Sequence, residues 1–250
     1  MDKMSIEYFR ALYSEKNSFC YWFPRVAHLV PTPRSIIVPF EKEKYSIYNM
    51  FEDASVFDSF VKKLVKIIWI NNFKYPVFMR TDYFSGKHHF KETCFVESPE
   101  KLKLNLLRLL DESLAVSLFG LPVNAIVIRE YVELDWKFKA FNGLPIAPER
   151  RYFIRDGKVQ CHHPYWPEDA IKFWEKGYVP PEDWRERLYQ MNIEHPREVK
   201  LLTSYAAKIA KKLDGYWSVD FAKTKTGKWL LIDMGLGEVS WHPKTCRYQK

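Results

Sequence analysis

Three acidic residues near the end of the sequence have types and spacing that could serve chemistry. The stretch "GYWSVDFAKTKTGKWLLID" predicts two strands joined by a Thr-Lys-Thr-Gly turn, and this hairpin would bring Asp220 close to Asp233. The following "MGLGEVSW" adds Glu238 after two glycines. A turn needs only the glycines, because they supply positive φ without steric cost. The acids therefore need another explanation, or they are surface acids of a plain hairpin.

Basic residues suited to anion binding occur in three other segments. Arg80 ends "PVFMR", Lys87 lies in the loop "SGKHH", and "ERRYF" places Glu149 and Arg151 on one strand face and Arg150 on the other. Arginine can bind an anion through two parallel hydrogen bonds and keeps its charge. We expect Arg151 to be the functional residue of its pair, with Arg150 as the competitor if the register shifts by one residue. The sequence contains no GxSxG, Walker A or HExxH motif.

Composition restricts the class of protein. The 250 residues, 47% hydrophobic and 17% aromatic, indicate a globular chain with a substantial core. The formal charge of +8 favours acidic partners such as nucleotides, phosphates or nucleic acid. Four scattered cysteines without a CxxC pair indicate neither a disulfide framework nor a zinc knuckle. Without an apolar run long enough to span a bilayer, or a secretion signal, we expect a cytoplasmic protein with no membrane partner.

The elements that must position these residues follow from periodicity and punctuation. Apolar residues at helical spacing predict helices over 54–70, over "SPEKLKLNLLRLLDESLAV" and over "REVKLLTSYAAKIAKKLDG", the last stopped by Gly215. "RRYFIRDGKVQCHH" predicts a hairpin that turns at Asp156 and Gly157. Prolines in "FCYWFPRVAHLVPTPRSIIVPF" exclude a long helix and favour short strands and turns. The order of elements indicates an α+β fold with a largely antiparallel sheet.

The order of four motifs resembles that of the ATP-grasp family. The motifs are "PVFMRTDYFSGKHHF", "IVIREYVEL", "PERRYFIRDGKV" and "YWSVDFAKTKTGKWLLIDMGLGEVSW", and the resemblance covers roughly residues 75–242. It is strongest to small divergent branches, namely compact phage and prokaryotic proteins and the assembly chaperone of translation initiation. The resemblance implies two lobes with largely antiparallel sheets and a nucleotide in the cleft between them. We accordingly expect an N-terminal lobe at 1–53 and ATP-grasp subdomains at 54–132 and 133–250.

The same resemblance implies ATP and Mg²⁺ as cofactors and assigns roles to the residues. Arg80 stands where the family usually has a phosphate-binding lysine, and the small-residue loop would close over the phosphates. Backbone groups of Glu130 and Val132 would bind adenine, while either Glu133 or Asp135 would hold the ribose. Arg151 and Lys87 would act on the transferred phosphate. The implied nucleotide-binding residues are Arg80, Ser85, Gly86, Lys87, Glu130, Tyr131, Val132 and Glu133.

The resemblance also explains the opening acids. Asp220 and Asp233 fall at the two acidic positions that hold magnesium in ATP-grasp enzymes, and magnesium prefers carboxylate oxygens. The usual motif continues with an asparagine two residues after the second acid, but this sequence has Gly235 there. One ligand is therefore absent from the pattern, or Glu238 supplies it.

Two classes of function are consistent with this interpretation, and a third is weaker. The first is an ATP-dependent ligase that converts a carboxylate to an acylphosphate for attack by an amine or similar nucleophile. The second is an ATP-binding assembly factor that holds a protein partner. Its partner surface would use exposed aromatics among Trp166, Trp174 and Trp184. The third, a nucleic-acid-binding or ligating protein, rests on the basic charge and the aromatics alone.

Overall fold

The computed structural model describes residues 15–41, 45–117 and 123–248. The expectations for the first residues of the chain, and for parts of the 1–53 lobe, therefore lie outside the described residues. The chain forms two compact units. One contains the chain up to Pro33, Val132–Ala140 and the chain from Pro145 onward, and the other contains Arg34–Tyr131 and Phe141–Leu144.

The elements of the described residues are, in chain order, α1 (Phe19–Val26), β1 (Ser35–Pro39), α2 (Ile47–Glu52), α3 (Ala54–Ile70), β2 (Val77–Thr81), β3 (Phe95–Val96), α4 (Pro99–Ser117), β4 (Ala125–Glu130), β5 (Phe138–Ala140), β6 (Leu144–Ile146), β7 (Glu149–Arg155), β8 (Lys158–Pro164), α5 (Trp184–Asn192), α6 (Pro196–Ala210), β9 (Tyr216–Lys223) and β10 (Trp229–Leu236). Short 3-10 turns lie at Lys87–His89, Glu168–Ala170 and Gly237–Val239. The α+β prediction is confirmed.

The unit that contains Arg34–Tyr131 is built on a four-stranded antiparallel sheet in the order β1-β4-β2-β3. Alternation along β2 sends Val77 and Met79 into the core with Ile126 and Ile128 of β4. Helices α3 and α4 supply the other side of this core. The strand β1 pairs with β4, so the predicted 1–53 lobe is divided between the two units.

Helix α3 shows why the periodicity prediction held in this unit. Asp53 caps the helix, and its carboxylate accepts the Ser55 backbone N–H at 2.7 Å. Phe57, Phe60 and Leu64 recur at helical spacing and are buried in the core. The helix spans Ala54–Ile70, as predicted.

The other unit contains a four-stranded antiparallel sheet in the order β10-β9-β7-β8. Helix α6 packs against β7 and β8. Both predicted hairpins are present: β7 and β8 turn at Asp156 and Gly157, which have φ of 46° and 82°, and β9 and β10 turn within residues 224–228. This sheet carries most of the chemically interesting side chains.

Two local predictions were wrong. Residues 19–26 form a helix despite Pro24, because Ser18 caps its start and the helix is too short for the missing N–H to matter much. Helix α6 ends at Ala210, before Gly215, whose φ of 96° instead serves the start of β9. Within the described residues, no helix is long and apolar enough to cross a membrane.

Candidate functional site

One row of side chains crosses the β10-β9-β7-β8 sheet at a single level. In the strand register, Asp233 is opposite Asp220, Asp220 is opposite Arg151, and Arg151 is opposite His163. Residues directly opposite in antiparallel strands point to the same face, with Cβ atoms about 4.5–5.5 Å apart. The row therefore brings two acids, an arginine and a histidine together on one sheet face.

Arg151 and Asp220 form the best-defined contact of this row. The Arg151 Nε and one terminal nitrogen donate to the two carboxylate oxygens of Asp220, each at 2.8 Å. The two side chains are only 13% and 5% exposed, so the pair is shielded from water. Burial by itself lowers the pKa of Arg151, but the charge and hydrogen bonds of Asp220 outweigh it and the pKa lies above its usual value. Arg151 is therefore a permanent cation at this level of the sheet.

Asp233 sits beside this pair at an irregularity of β10. The β9–β10 register shifts between Leu231 and Asp233, which places Ile232 as the extra residue of a bulge. The Asp233 carboxylate accepts the Met234 backbone N–H at 3.0 Å and is half-buried. The bulge re-aims the acid, so the two predicted magnesium ligands share one face.

Glu238 lies farther along, on the 3-10 turn after β10. It is exposed and lines a pocket of about 630 Å³ together with Arg155, Tyr216 and His242. Its role as a third magnesium ligand stays a prediction.

The glycines of this segment have different structural reasons. A Cβ at Gly237 would lie 2.5 Å from Tyr216 Cδ1, so only glycine fits there without movement. A Cβ at Gly235 would meet Ser218, Asn17 and Ser240 at 3.5–3.7 Å, which is ordinary contact. Asn17 accepts the Leu236 backbone N–H at 3.1 Å, which places its carboxamide beside the position where the family pattern has asparagine. Sequence reasoning missed Asn17, because more than 200 residues separate it from Gly235.

Arg150 points to the opposite face of the same strand. Its side chain is 1% exposed, forms an ion pair with Glu198 of α6 at 2.6 Å, and donates to the carbonyl oxygens of Met191 and Ile193. These contacts join the sheet to its helices. Of the two adjacent arginines, Arg151 is the one that faces the acids.

Two buried histidines flank the Arg151 end of the row. His163 donates from Nδ1 to the Pro164 carbonyl oxygen at 2.8 Å, and Trp241 packs edge-on against its ring at 5.2 Å. The ring of His242 stacks on Phe153 with centroids 3.5 Å apart. Burial lowers the pKa of both histidines, and the charge of Arg151 lowers it further. Both rings are therefore neutral near pH 7.

The other unit places Arg80 on the side of its sheet that faces away from the helical core. Arg80 is 5% exposed, and its Nε donates to the Thr81 carbonyl oxygen at 3.1 Å. Arg129 of β4 points to the same face, is also buried, and donates from Nε to Ser35 at 3.1 Å. Sequence reasoning did not single out Arg129, although a charged residue inside the apolar run "IVIRE" is a usable signal.

The predicted phosphate loop is closely packed within its own unit. Gly86 has φ of 63°, and a Cβ there would lie 2.8 Å from Thr93 Oγ1. Thr93 donates to the Gly86 carbonyl oxygen at 2.6 Å, which fixes the backbone between Ser85 and Lys87. Next to it, His88 stacks on Phe141 with centroids 4.7 Å apart. The packing is one reason for glycine at this position, whatever binds at the loop.

The predicted adenine contacts lie at the end of β4 and just after it. The Glu130 N–H donates to the Arg34 carbonyl oxygen at 2.9 Å, so an adenine contact by Glu130 has to use its carbonyl oxygen. Tyr131 packs edge-on against Phe95 at 4.9 Å. Val132 begins the stretch that belongs to the other compact unit.

Both ribose candidates are in ion pairs. Glu133 pairs with Lys225 at 2.7 Å, and Asp135 pairs with Lys137 at 2.8 Å. Their contacts are of the same kind, so the geometry does not choose between them.

The tryptophans of the predicted partner surface have different environments. Trp166 is buried, and Trp184 packs against Phe138 and Phe173. Trp174 is 49% exposed. Of the three, only Trp174 presents a large exposed aromatic surface.

A family comparison decides the classification. The family model described as an ATP-grasp domain, family 3 of its clade, matches residues 52–250. The chain belongs to this ATP-grasp family. The match includes every candidate site residue from Arg80 to Glu238.

Solved structures with the ATP-grasp fold are similar to this chain. Cdc123 from Schizosaccharomyces pombe shares 12% identity with a TM-score of 0.50, covering 88% of this chain and 83% of that one. A C-terminally truncated Cdc123 from the same organism shares 14% identity with a TM-score of 0.50, covering 92% and 85%. VanG D-Ala:D-Ser ligase from Enterococcus faecalis shares 14% identity with a TM-score of 0.47, covering 90% and 56%. At these identities the two Cdc123 structures establish similarity of fold alone. A search of curated proteins found no match.

Proposed function

We propose that this ATP-grasp chain is an ATP- and Mg²⁺-dependent ligase that activates a carboxylate as an acylphosphate for attack by an amine or similar nucleophile. The observation that carries the proposal is the row in which Asp233, Asp220 and Arg151 share one level and one face of a sheet. A pair of carboxylates beside a fixed guanidinium suits a polyphosphate with its metal ions better than it suits a nucleophile and base.

The donor set of this row fits magnesium. Asp220 and Asp233 offer carboxylate oxygens from adjacent strands, and Mg²⁺ prefers such hard ligands while it keeps several waters. Both Asp220 oxygens accept from Arg151, but each carboxylate oxygen has a second lone pair that remains for a cation. Bound magnesium would supply neutralisation of phosphate charge.

Arg151 would hold a phosphoryl oxygen from the side opposite Asp233. Its guanidinium has five N–H donors, of which Asp220 uses two, so the remaining donors can bind an anion without releasing the acid. The ring of Tyr165 lies 4.6 Å from the guanidinium carbon and limits its movement. Because the pair is buried, the arginine is oriented before ligand binds, which is the condition for electrostatic stabilisation.

The remaining nucleotide contacts are part of the same proposal. Arg80 and Lys87 supply positive charge for phosphates, and Ser85 and Gly86 supply backbone N–H groups. Glu130 and its successors bind adenine and ribose: Glu130, Tyr131, Val132 and either Glu133 or Asp135.

The reaction class is testable through its nucleotide product. Purified protein is incubated with ATP, Mg²⁺ and a panel of carboxylate and amine pairs, and ADP and AMP are separated by chromatography. An acylphosphate route predicts ADP and no AMP. Asp220→Asn and Asp233→Asn should each reduce ADP formation at least about 100-fold, because several kcal/mol of charge stabilisation is lost.

Asp169→Asn is the matched control, since Asp169 is an exposed aspartate of the same unit, on the Glu168–Ala170 turn. It should keep the wild-type rate. Production of AMP, or an unchanged rate in both site variants, would contradict the proposed function.

A further inference from the structure

A second group of potential metal ligands lies next to the Arg151 row and takes no part in the proposed ATP chemistry. Cys161, His242 and Cys246 each offer one ligand atom, and these three atoms lie within 4.8 Å of one another. The two sulfur atoms are 3.5 Å apart. Two sulfur ligands of a tetrahedral zinc ion, each about 2.3 Å from the metal, are separated by a similar distance.

The fold brings these residues together from distant parts of the chain. Cys161 lies in β8, opposite Phe153 and two residues before His163, so it points to the Arg151 face of the sheet. His242 and Cys246 lie on the turn that follows β10, where the Cys246 N–H donates to the Pro243 carbonyl oxygen at 2.9 Å. A spacing of four residues with such a turn is typical of paired zinc ligands.

His242 is prepared for ligation. It is 9% exposed, and its Nδ1 has no hydrogen-bond partner among the described residues. Its Nε2 is 2.7 Å from the Tyr216 hydroxyl, and its ring stacks on Phe153. Metal-binding histidines typically have their second nitrogen hydrogen-bonded in this way, because the bond fixes the ring and the tautomer. A buried, unpaired nitrogen without a ligand would cost free energy.

We propose that Cys161, Cys246 and Nδ1 of His242 bind a zinc ion. Two thiolates and a neutral imidazole are soft ligands that select zinc over magnesium, so this site is chemically separate from Asp220 and Asp233. The two thiolate charges neutralise the ion, which allows a metal in a largely buried position. Water completes the tetrahedron.

The metal would anchor the segment after β10 to β8. Trp241 packs against His163, and the ring of His242 covers Phe153, so this segment already lies along the Arg151 face. Zinc ligation would fix it there and thereby support the His163 end of the row. The expected effect is on stability and on the position of the segment, and nucleotide chemistry does not require the ion.

Cobalt substitution and zinc analysis test the site on the full-length chain without ATP. Reduced protein is freed of metal with a chelator, and Co²⁺ or Zn²⁺ is added alone. We expect one Zn²⁺ per chain by elemental analysis. With Co²⁺ we expect the strong visible bands of tetrahedral coordination together with thiolate-to-cobalt charge transfer. Reduced protein that gives neither result would overturn the proposal, and so would protein whose Cys161 and Cys246 form a disulfide and bind no metal after reduction.

Variants assign the ligands. Cys246→Ser and His242→Gln should each weaken Zn²⁺ binding about 100-fold or more in competition with a chromophoric chelator. His195→Gln and Cys94→Ala are the matched controls, because His195 is exposed on the same unit and Cys94 is buried in the other unit. They should bind zinc like the wild type. Equal zinc affinity in all four variants would overturn the assignment, whatever the outcome for ATP.

Discussion

The adjacent residues Arg150 and Arg151 show how one strand separates a structural from a functional task. Both side chains are shielded from water, but Arg150 is held by Glu198 and helix carbonyls, whereas Arg151 is paired with Asp220. Alternation by two, read from the sequence, predicts that they face opposite ways. It does not predict which face a helix covers, because that depends on the tertiary packing of α6.

The Arg151–Asp220 pair should be strongly coupled in stability. Arg151→Ala leaves the Asp220 carboxylate buried without its counter-charge, and we expect a loss of about 3–5 kcal/mol in the free energy of unfolding. Asp220→Ala should cost a similar amount, while the double variant should lose clearly less than the sum. Urea denaturation of the four proteins measures this coupling.

The exposed pair Arg185–Glu168 is the control for that cycle. Its N–O distance is 2.6 Å, but the side chains are 66% and 58% exposed. Solvent screening should hold the effect of Arg185→Ala below about 1 kcal/mol. Additive losses in the Arg151–Asp220 cycle would mean that the buried pair does not act as a unit.

At the scale of elements, the β9–β10 hairpin is predictable from its sequence, but its bulge is not. The Thr-Lys-Thr-Gly turn and the flanking apolar residues specify two paired strands. The register shift between Leu231 and Asp233 depends on contacts with neighbouring strands and turns, and no local pattern encodes it. Cys161 and Cys246 were likewise read as ordinary residues, since a ligand pair 85 residues apart has no spacing signal.

The two glycines after Asp233 should differ sharply in their tolerance of a side chain. Gly237→Ala forces a methyl group against the ring of Tyr216 and should lower the free energy of unfolding by about 1–3 kcal/mol. Gly235→Ala meets its neighbours at ordinary distances and should change it by less than about 1 kcal/mol. Thermal and urea unfolding of both variants compare them directly. Equal losses would show that the segment does not pack against Tyr216 as described.

For the whole molecule, the order of motifs carried more information than any one of them. The loop "SGKHH" or the acids of the final hairpin have plain structural explanations when taken alone, yet their sequence order indicated the ATP-grasp family, which the match over residues 52–250 confirms. Domain boundaries were harder, because β1 joins the sheet of β2–β4 while the chain up to Pro33 belongs with the other unit. Pairing between distant strands is a tertiary property that local periodicity cannot reveal.

The charge of the whole molecule is consistent with an anionic ligand, but it is a weak guide. A formal charge of +8 attracts nucleotides and nucleic acids alike, and salt screens this attraction. A specific site has to show dependence on the metal and on a particular side chain. Binding in moderate salt therefore separates the proposed site from general electrostatic attraction.

The most direct measurement is a calorimetric titration of ATP into the wild type and Asp233→Asn, each with and without Mg²⁺ in moderate salt. The proposed site predicts saturable binding to the wild type that needs Mg²⁺ and is weakened at least about tenfold in Asp233→Asn, while the variant keeps its fold by circular dichroism. No binding by the wild type, or equal Mg²⁺-dependent affinity in the two proteins, would contradict the account of the Asp233–Asp220–Arg151 row as the nucleotide and metal site.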